Sequence, residues 1–211
     1  MSLADSVSSG SSYFIAHPSD VLLYQQPDIY HDLYVYKCVL TVVLTTGDRG
    51  IGGGFSRSLE AGLEAAYAYM ISSVHNNWEE TIVQANDHNV TLRSLRDAPT
   101  VQILYLHLPD GASDGCGHES TNSNSLKKLY QRRIRSISTL GGGPIYTLQS
   151  LMDLIGWVLQ QSDPSDIRLL DFKAPMPDDG QFHSEHADHV VSAKLLMDVI
   201  KRERIQAYLR G

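Results

Sequence analysis

Hydrophobic positions along the chain fall into short blocks of two kinds. Residues 39–45, Val-Leu-Thr-Val-Val-Leu-Thr, form a continuous β-branched run, the pattern of a central strand covered on both faces. A glycine-rich stretch at 47–54 follows. Then Leu59, Leu63, Ala66, Tyr67 and Met70 recur at helical spacing within residues 55–74. Strand, glycine loop and helix make one α/β crossover unit. Upstream, residues 13–16, Tyr-Phe-Ile-Ala, predict a short buried strand that runs into His17-Pro18, where proline prevents simple continuation.

Residues 81–83 and 90–95 flank Asn86-Asp87-His88-Asn89 and predict a hairpin. Residues 101–108 read as a strong strand ending at Pro109-Asp110-Gly111. The Gly/Ser/Asn-rich segment 112–125 reads as a loop near the mouth of a pocket. Helices are predicted over 126–137 and 148–160, separated by Gly141-Gly142-Gly143-Pro144. A short strand over 167–172 and a closing helix over 190–209 complete the chain. This order predicts an α/β three-layer sandwich with a mostly parallel, Rossmann-like sheet and a β-hairpin addition. It places a single domain over residues 13–211, after a flexible segment at 1–12. In such sheets ligands bind beyond the carboxyl ends of the strands.

Composition narrows the function classes. A chain of 211 residues with 42% hydrophobic and 19% charged residues can bury a core and is not a disordered sequence. Its net charge of −7 argues against a nucleic-acid or anionic-membrane binder. The longest apolar stretch, residues 38–44, is too short to span a bilayer, so no membrane-spanning segment is expected. Residues 1–12 are Ser-rich and show no signal peptide, which fits a cytoplasmic protein or a secreted one whose leader is gone. Two cysteines, Cys38 and Cys116, exclude a disulfide scaffold and leave a single bridge open.

Candidate chemistry lies in two polar groups. Three of the nine histidines crowd into Phe182-His183-Ser184-Glu185-His186-Ala187-Asp188-His189. The other group, His17-Pro18-Ser19-Asp20, ends the first strand. His186 and His189 at a helix start share one face, and His17 and Asp20 share a strand-to-helix turn. Two imidazoles and a carboxylate would hold a divalent metal such as zinc with one position open for water. On spacing alone a second reading stands beside this one: a solvated His-rich run and a satisfied core histidine. Cys116-Gly117-His118 reads as loop rather than as a further metal site.

Taken together, these blocks resemble the PIG-L/LmbE family of metal-dependent N-acetylglucosaminyl deacetylases. His17-Pro18-Ser19-Asp20 stands where that family has His-Pro-Asp-Asp, and His186-Ala187-Asp188-His189 where it has His-x-Asp-His. Blocks at 44–50, 57–68, 108–111 and 167–171 fall in matching order, so the resemblance runs from about Tyr13 to the end of the chain. It implies metal ligands His17, Asp20 and His189. It also implies His186 beside the metal, polarising substrate or handling a proton, and Arg57 contacting substrate. The reaction implied is hydrolysis of an acetamido group on a sugar or glycoconjugate by water activated on the metal.

One departure bears directly on that chemistry. Ser19 occupies the position of the family's general-base aspartate, and a serine hydroxyl cannot take a proton near neutral pH. General-base help is worth about 10²–10⁴-fold, so the sequence predicts a slow or altered enzyme. Asp48, Asp110 and Asp188 are the candidates to substitute, with Asp48 and Asp110 also candidate substrate contacts. Two alternatives remain: a catalytically impaired relative that binds carbohydrate in the metal pocket, and an enzyme of another reaction type using the metal as a Lewis acid.

Overall fold

The computed structural model describes residues 10–36 and 38–211. Residues 1–9, most of the segment read as flexible, lie outside the described residues. β1 (Ser11–Ile15) already includes the last two residues of that segment. β2 spans Val39–Thr45, all of it buried, as its apolar run requires of a strand covered on both faces. Together with β5 (Ala98–Leu108), β8 (Asp166–Arg168) and β9 (Tyr208–Arg210) these strands form a parallel block. β3 (Trp78–Ala85) and β4 (His88–Leu95) extend the sheet antiparallel beside β5. The seven-stranded order is β3-β4-β5-β2-β1-β8-β9. The expected hairpin is present, with longer strands and a turn at Asn86-Asp87 in which Asn86 takes a φ of 53°. A separate two-stranded antiparallel sheet pairs β6 (Ile137–Ser138) with β7 (Ile145–Tyr146).

Side-chain alternation along the central strands produces two cores, one on each face of the sheet. Tyr13, Ile15, Val39 and Val43 point to one face. There they pack with Val21 of α1 (Asp20–Tyr24), Ile29 of α2 (Asp28–His31) and Leu63 and Tyr67 of α3 (Gly53–Met70). Phe14, Leu40, Val42 and Leu44 point to the other. They meet Leu126 and Leu129 of α4 (Leu126–Tyr130), Leu151 and Ile155 of α5 (Leu148–Ser162), and Val191 and Leu195 of α6 (Ala187–Glu203). The result is the expected three-layer α/β sandwich.

Three helices end earlier than their apolar spacing predicts, for one physical reason: α3 stops at Met70 with Ser72 (φ 56°) left-handed just beyond it, and two more follow the same pattern. Arg132 (φ 60°) and Arg204 (φ 55°) adopt the left-handed conformation that terminates helices. After α4, Arg132 N–H donates to Leu129 O at 3.0 Å and Arg133 N–H to Lys128 O at 2.8 Å, closing the helix. After α6, Ile205 N–H donates to Ile200 O at 3.1 Å. Residues 208 and 209, the end of the expected closing helix, instead join Arg210 in β9 at the sheet edge. No disulfide joins Cys38 and Cys116. Among the described residues no helix is long and apolar enough to cross a membrane.

Candidate metal centre

The carboxyl ends of β1, β2 and β5 and the start of α6 surround one cavity of about 490 Å³. Its polar wall includes His17, Ser19, Asp20, Asp110, His186 and His189. The apolar wall is Leu23, Tyr24, Phe55 and Leu59.

His17 and Asp20 are set by a local turn. His17 N–H donates to Asp20 Oδ2 at 2.7 Å, and Asp20 N–H donates back to His17 O at 3.1 Å. Asp20 therefore presents its other oxygen beside the His17 ring. His189, one turn into α6, completes the arrangement from across the sheet. His17 Nδ1 lies 3.2 Å from His189 Nε2 and 3.5 Å from Asp20 Oδ1, and His189 Nε2 lies 3.3 Å from the same oxygen. Ligands about 2.0–2.1 Å from a tetrahedral zinc stand about 3.3–3.4 Å apart, so the three atoms have the edge lengths of one face of that tetrahedron.

The outer nitrogens of both imidazoles face carboxylates. His17 Nε2 lies 3.3 Å from Asp188 Oδ2, and His189 Nδ1 lies 2.5 Å from Glu185 Oε1. This is the support that metal-ligating histidines need, because it fixes the tautomer and turns the other nitrogen inward. Asp188 is fully buried, and its Oδ2 also accepts from Gly111 N–H at 2.8 Å. Gly111 cannot carry a side chain here, since a Cβ would sit 2.5 Å from Asp188 Oδ1.

His186 caps α6, accepting at Nδ1 from Asp188 N–H at 3.2 Å. A neutral His186 then carries its proton on Nε2, available to a ligand in the cavity. Its ring meets His17 edge-on at a centroid distance of 4.7 Å. His17, His186 and His189 each offer a nitrogen to a common point, and His17, Asp110, His186 and Asp188 form an overlapping group able to hold an ion.

The electrostatics show an acid-rich site relying on histidine charge. Burial works against the His17 imidazolium, but Asp188 and Asp20 outweigh it and raise the group to about 10. Burial likewise opposes ionisation of Asp20, yet His17 and His189 hold it well below the usual carboxylate range. His189 is raised, with Asp20 overcoming burial, whereas burial lowers His186. A divalent cation would replace the protons that His17 and His189 hold.

The remaining candidates divide. Ser19 lines the cavity, and its hydroxyl makes no capping bond at the start of α1. Asp110 lines it too. Asp188 stands behind His17, where it positions the ring. Asp48 is buried in the glycine loop, accepting from Thr46 Oγ1 at 2.9 Å and Gly52 N–H at 3.0 Å, and shapes that loop. Arg57 lines a neighbouring cavity of about 430 Å³ with Glu60, Glu64, Arg93 and His107. The arginine on the wall of the metal cavity is Arg49. Loop residues Ala112, Ser113 and His118 also reach the cavity. The adjacency of His118 to Asp110 appears only when the loop folds back, so a linear reading passes over it.

No family model matches the chain, and no curated protein or solved structure does so either.

Proposed function

We propose that this chain is a zinc-dependent amide hydrolase that removes an acetyl or related acyl group from an N-acetylated sugar or glycoconjugate. The observation that carries the reading is the triangle of His17 Nδ1, Asp20 Oδ1 and His189 Nε2, with edges of 3.2–3.5 Å and a carboxylate behind each imidazole. Two imidazoles and one carboxylate are the donor set of a catalytic zinc site that keeps a position open. The ion, when bound, supplies Lewis acidity, polarising the amide carbonyl and lowering the pKa of water towards about 7.

The protein's own groups do the rest. His186 donates its Nε2–H to the carbonyl oxygen as negative charge builds there. Tyr24, Leu23, Phe55 and Leu59 cover the opposite wall and limit the water around the reacting bond. Asp188 and Glu185 keep the two imidazoles turned inward. Similarity of the His17–Asp20 and His186–His189 blocks to the PIG-L/LmbE deacetylases supports the same substrate class.

Ser19 favours a second reading, a relative that retains the metal pocket to bind carbohydrate without hydrolysing it. Elemental analysis of the purified protein, paired with an assay of amine release from N-acetylhexosamines, separates the two. The hydrolase reading expects about one divalent ion per chain and amine release that a chelator stops and zinc restores. Bound metal without release from any acetamido sugar favours the carbohydrate-binding reading. Absence of bound metal after zinc loading contradicts both.

A further inference from the structure

The cavity on the other face of α3 contains a buried polar group that nothing satisfies. Its floor is the sheet: Thr91 of β4 is the register partner of Tyr105 of β5, and both line the cavity beneath α3. Tyr105 is 3% exposed, and its hydroxyl has no hydrogen-bond partner among the described residues. Tyr67, in the same core, shows the usual outcome, with its hydroxyl 2.6 Å from Thr41 Oγ1. Leaving a buried hydroxyl unpaired costs free energy that a ligand can recover.

Glu60 is half-satisfied in the same place. Ser56 Oγ donates to its Oε1 at 3.2 Å, and His107 Nε2 lies 3.2 Å from the same oxygen. Among the described residues no hydrogen bond reaches Oε2. Glu64 and Glu80 differ, because Arg93 holds both. The two incomplete groups are neighbours through one ring: His107, which meets Glu60, lies nearly parallel to Tyr105 at a centroid distance of 5.7 Å. Burial first, then Glu64 and Glu60, push the Tyr105 phenol well above its ordinary value, so it stays neutral and its oxygen can accept. Two acceptor oxygens without donors, one of them a carboxylate's, suit a ligand that brings N–H groups and positive charge. The cavity volume, about 430 Å³, falls within the range of small-molecule sites.

We propose that this second cavity binds the protonated amine of an amino sugar, the ammonium group donating to Glu60 Oε2 and to the Tyr105 hydroxyl oxygen. Thr91 and Arg57, on the same wall, meet the ring hydroxyls. The amine site rests on this cavity alone. Naming the ligand an amino sugar rests on the amide-hydrolase reading, whose product is one.

The test is calorimetric titration of the full chain with glucosamine and with glucose at about pH 6, where the amine is protonated. Glucosamine should bind at least about tenfold more tightly than glucose, the value of one charge-assisted hydrogen bond. Glu60→Gln should erase most of that preference. Tyr105→Phe should weaken glucosamine at least about threefold and leave the midpoint of denaturant unfolding equal or higher, since it deletes a hydroxyl that the free protein leaves unpaired. A lowered midpoint with unchanged affinity would make the tyrosine structural and overturn its part in the site. Should Glu60→Gln fail to fold, Tyr105→Phe decides. His189→Ala, altered only in the metal cavity, should bind glucosamine as the wild type does.

Equal binding of glucosamine and glucose, or binding of neither, overturns the proposal. So does loss of glucosamine binding in His189→Ala with retention in both other variants, which would place the amine at the metal centre. These outcomes leave the hydrolase reading to its own assay. A chain that binds glucosamine through Glu60 and Tyr105 yet hydrolyses no acetamido sugar keeps the amine site and loses that reading.

Discussion

Two charged cavities open on different faces of α3, and their carboxylates are neutralised in different ways. In the cavity beside Phe55 and Leu59, Asp20 and Asp110 lean on His17, His118 and His189. In the cavity beside Arg57 and Ala61, Arg93 grips Glu64 at 2.9 and 3.2 Å and Glu80 at 3.2 Å, and His107 faces Glu60 at 3.2 Å. A guanidinium is always charged, so most of the second cavity is neutral by construction. An imidazole is charged only when protonated, so the first cavity needs protons or a metal ion to balance its acids. What separates them is whether the cation in contact with most of the carboxylates is a guanidinium or an imidazole.

The sharpest way to break that comparison is to remove a ligand from one cavity and the guanidinium from the other. Asp20→Ala and His189→Ala are each expected to lose most of the bound divalent ion after dialysis, since altering even outer-shell partners costs about 10–100-fold in affinity. Arg93→Ala should retain all of it. Metal retention by the ligand variants, measured by elemental analysis, would mean that the triangle does not hold the ion.

Arg93→Ala should instead lower stability by roughly 1–3 kcal/mol, the usual consequence of leaving a buried polar partner unsatisfied. Glu64, with 13% of its side chain exposed, is the group left behind. The midpoint of denaturant unfolding measures this, and an unchanged midpoint would show that the cavity does not depend on its ion pair.

The two cavities also separate two arginines. Arg49→Ala should raise KM for an acetamido sugar about tenfold, the value of one charge-assisted hydrogen bond. Arg57→Ala should change it less than about threefold. Steady-state kinetics on the two variants decides the matter, and the reverse order would move the substrate towards the second cavity.

The smallest effect concerns the clamp on the His118 loop. Lys127, almost fully buried, and Arg133 both contact Asp179, at 2.9 and 2.8 Å. Arg133 first, then Lys127, depress the Asp179 carboxyl below its ordinary value. A depressed carboxyl contributes stability above its unfolded pKa of about 4. That contribution is lost as pH falls through the lower folded value. Thermal unfolding of wild type and Asp179→Asn should therefore differ slightly at pH 6, and the difference should shrink steadily as pH falls below about 4. A gap that widens in acid would contradict the sign.

The parts of this architecture that depend on local chemistry were legible in the sequence. β2 was legible to the residue because a strand buried on both faces has an unbroken apolar run. His17 and Asp20 were legible because one turn of backbone fixes their relation, and His189 because it starts a helix whose apolar face is plain. Helix ends were not, since Arg132 and Arg204 stop their helices in a left-handed conformation that spacing does not reveal. Arg57 shares α3 with Phe55 and Leu59 but points away from them, which sequence order alone does not show. His118 escaped because its partner Asp110 is reached only through a folded loop, and no periodicity records that contact.

Zinc-edge X-ray absorption on the metal-loaded chain tests the central claim most directly. The expected spectrum has nitrogen and oxygen neighbours at about 2.0–2.1 Å, with outer-shell scattering from two imidazoles and no sulfur. Removing His189 should take away one imidazole contribution. A sulfur neighbour at about 2.3 Å, or a spectrum that His189→Ala leaves unchanged, would place the ion elsewhere and contradict the metal centre at His17, Asp20 and His189.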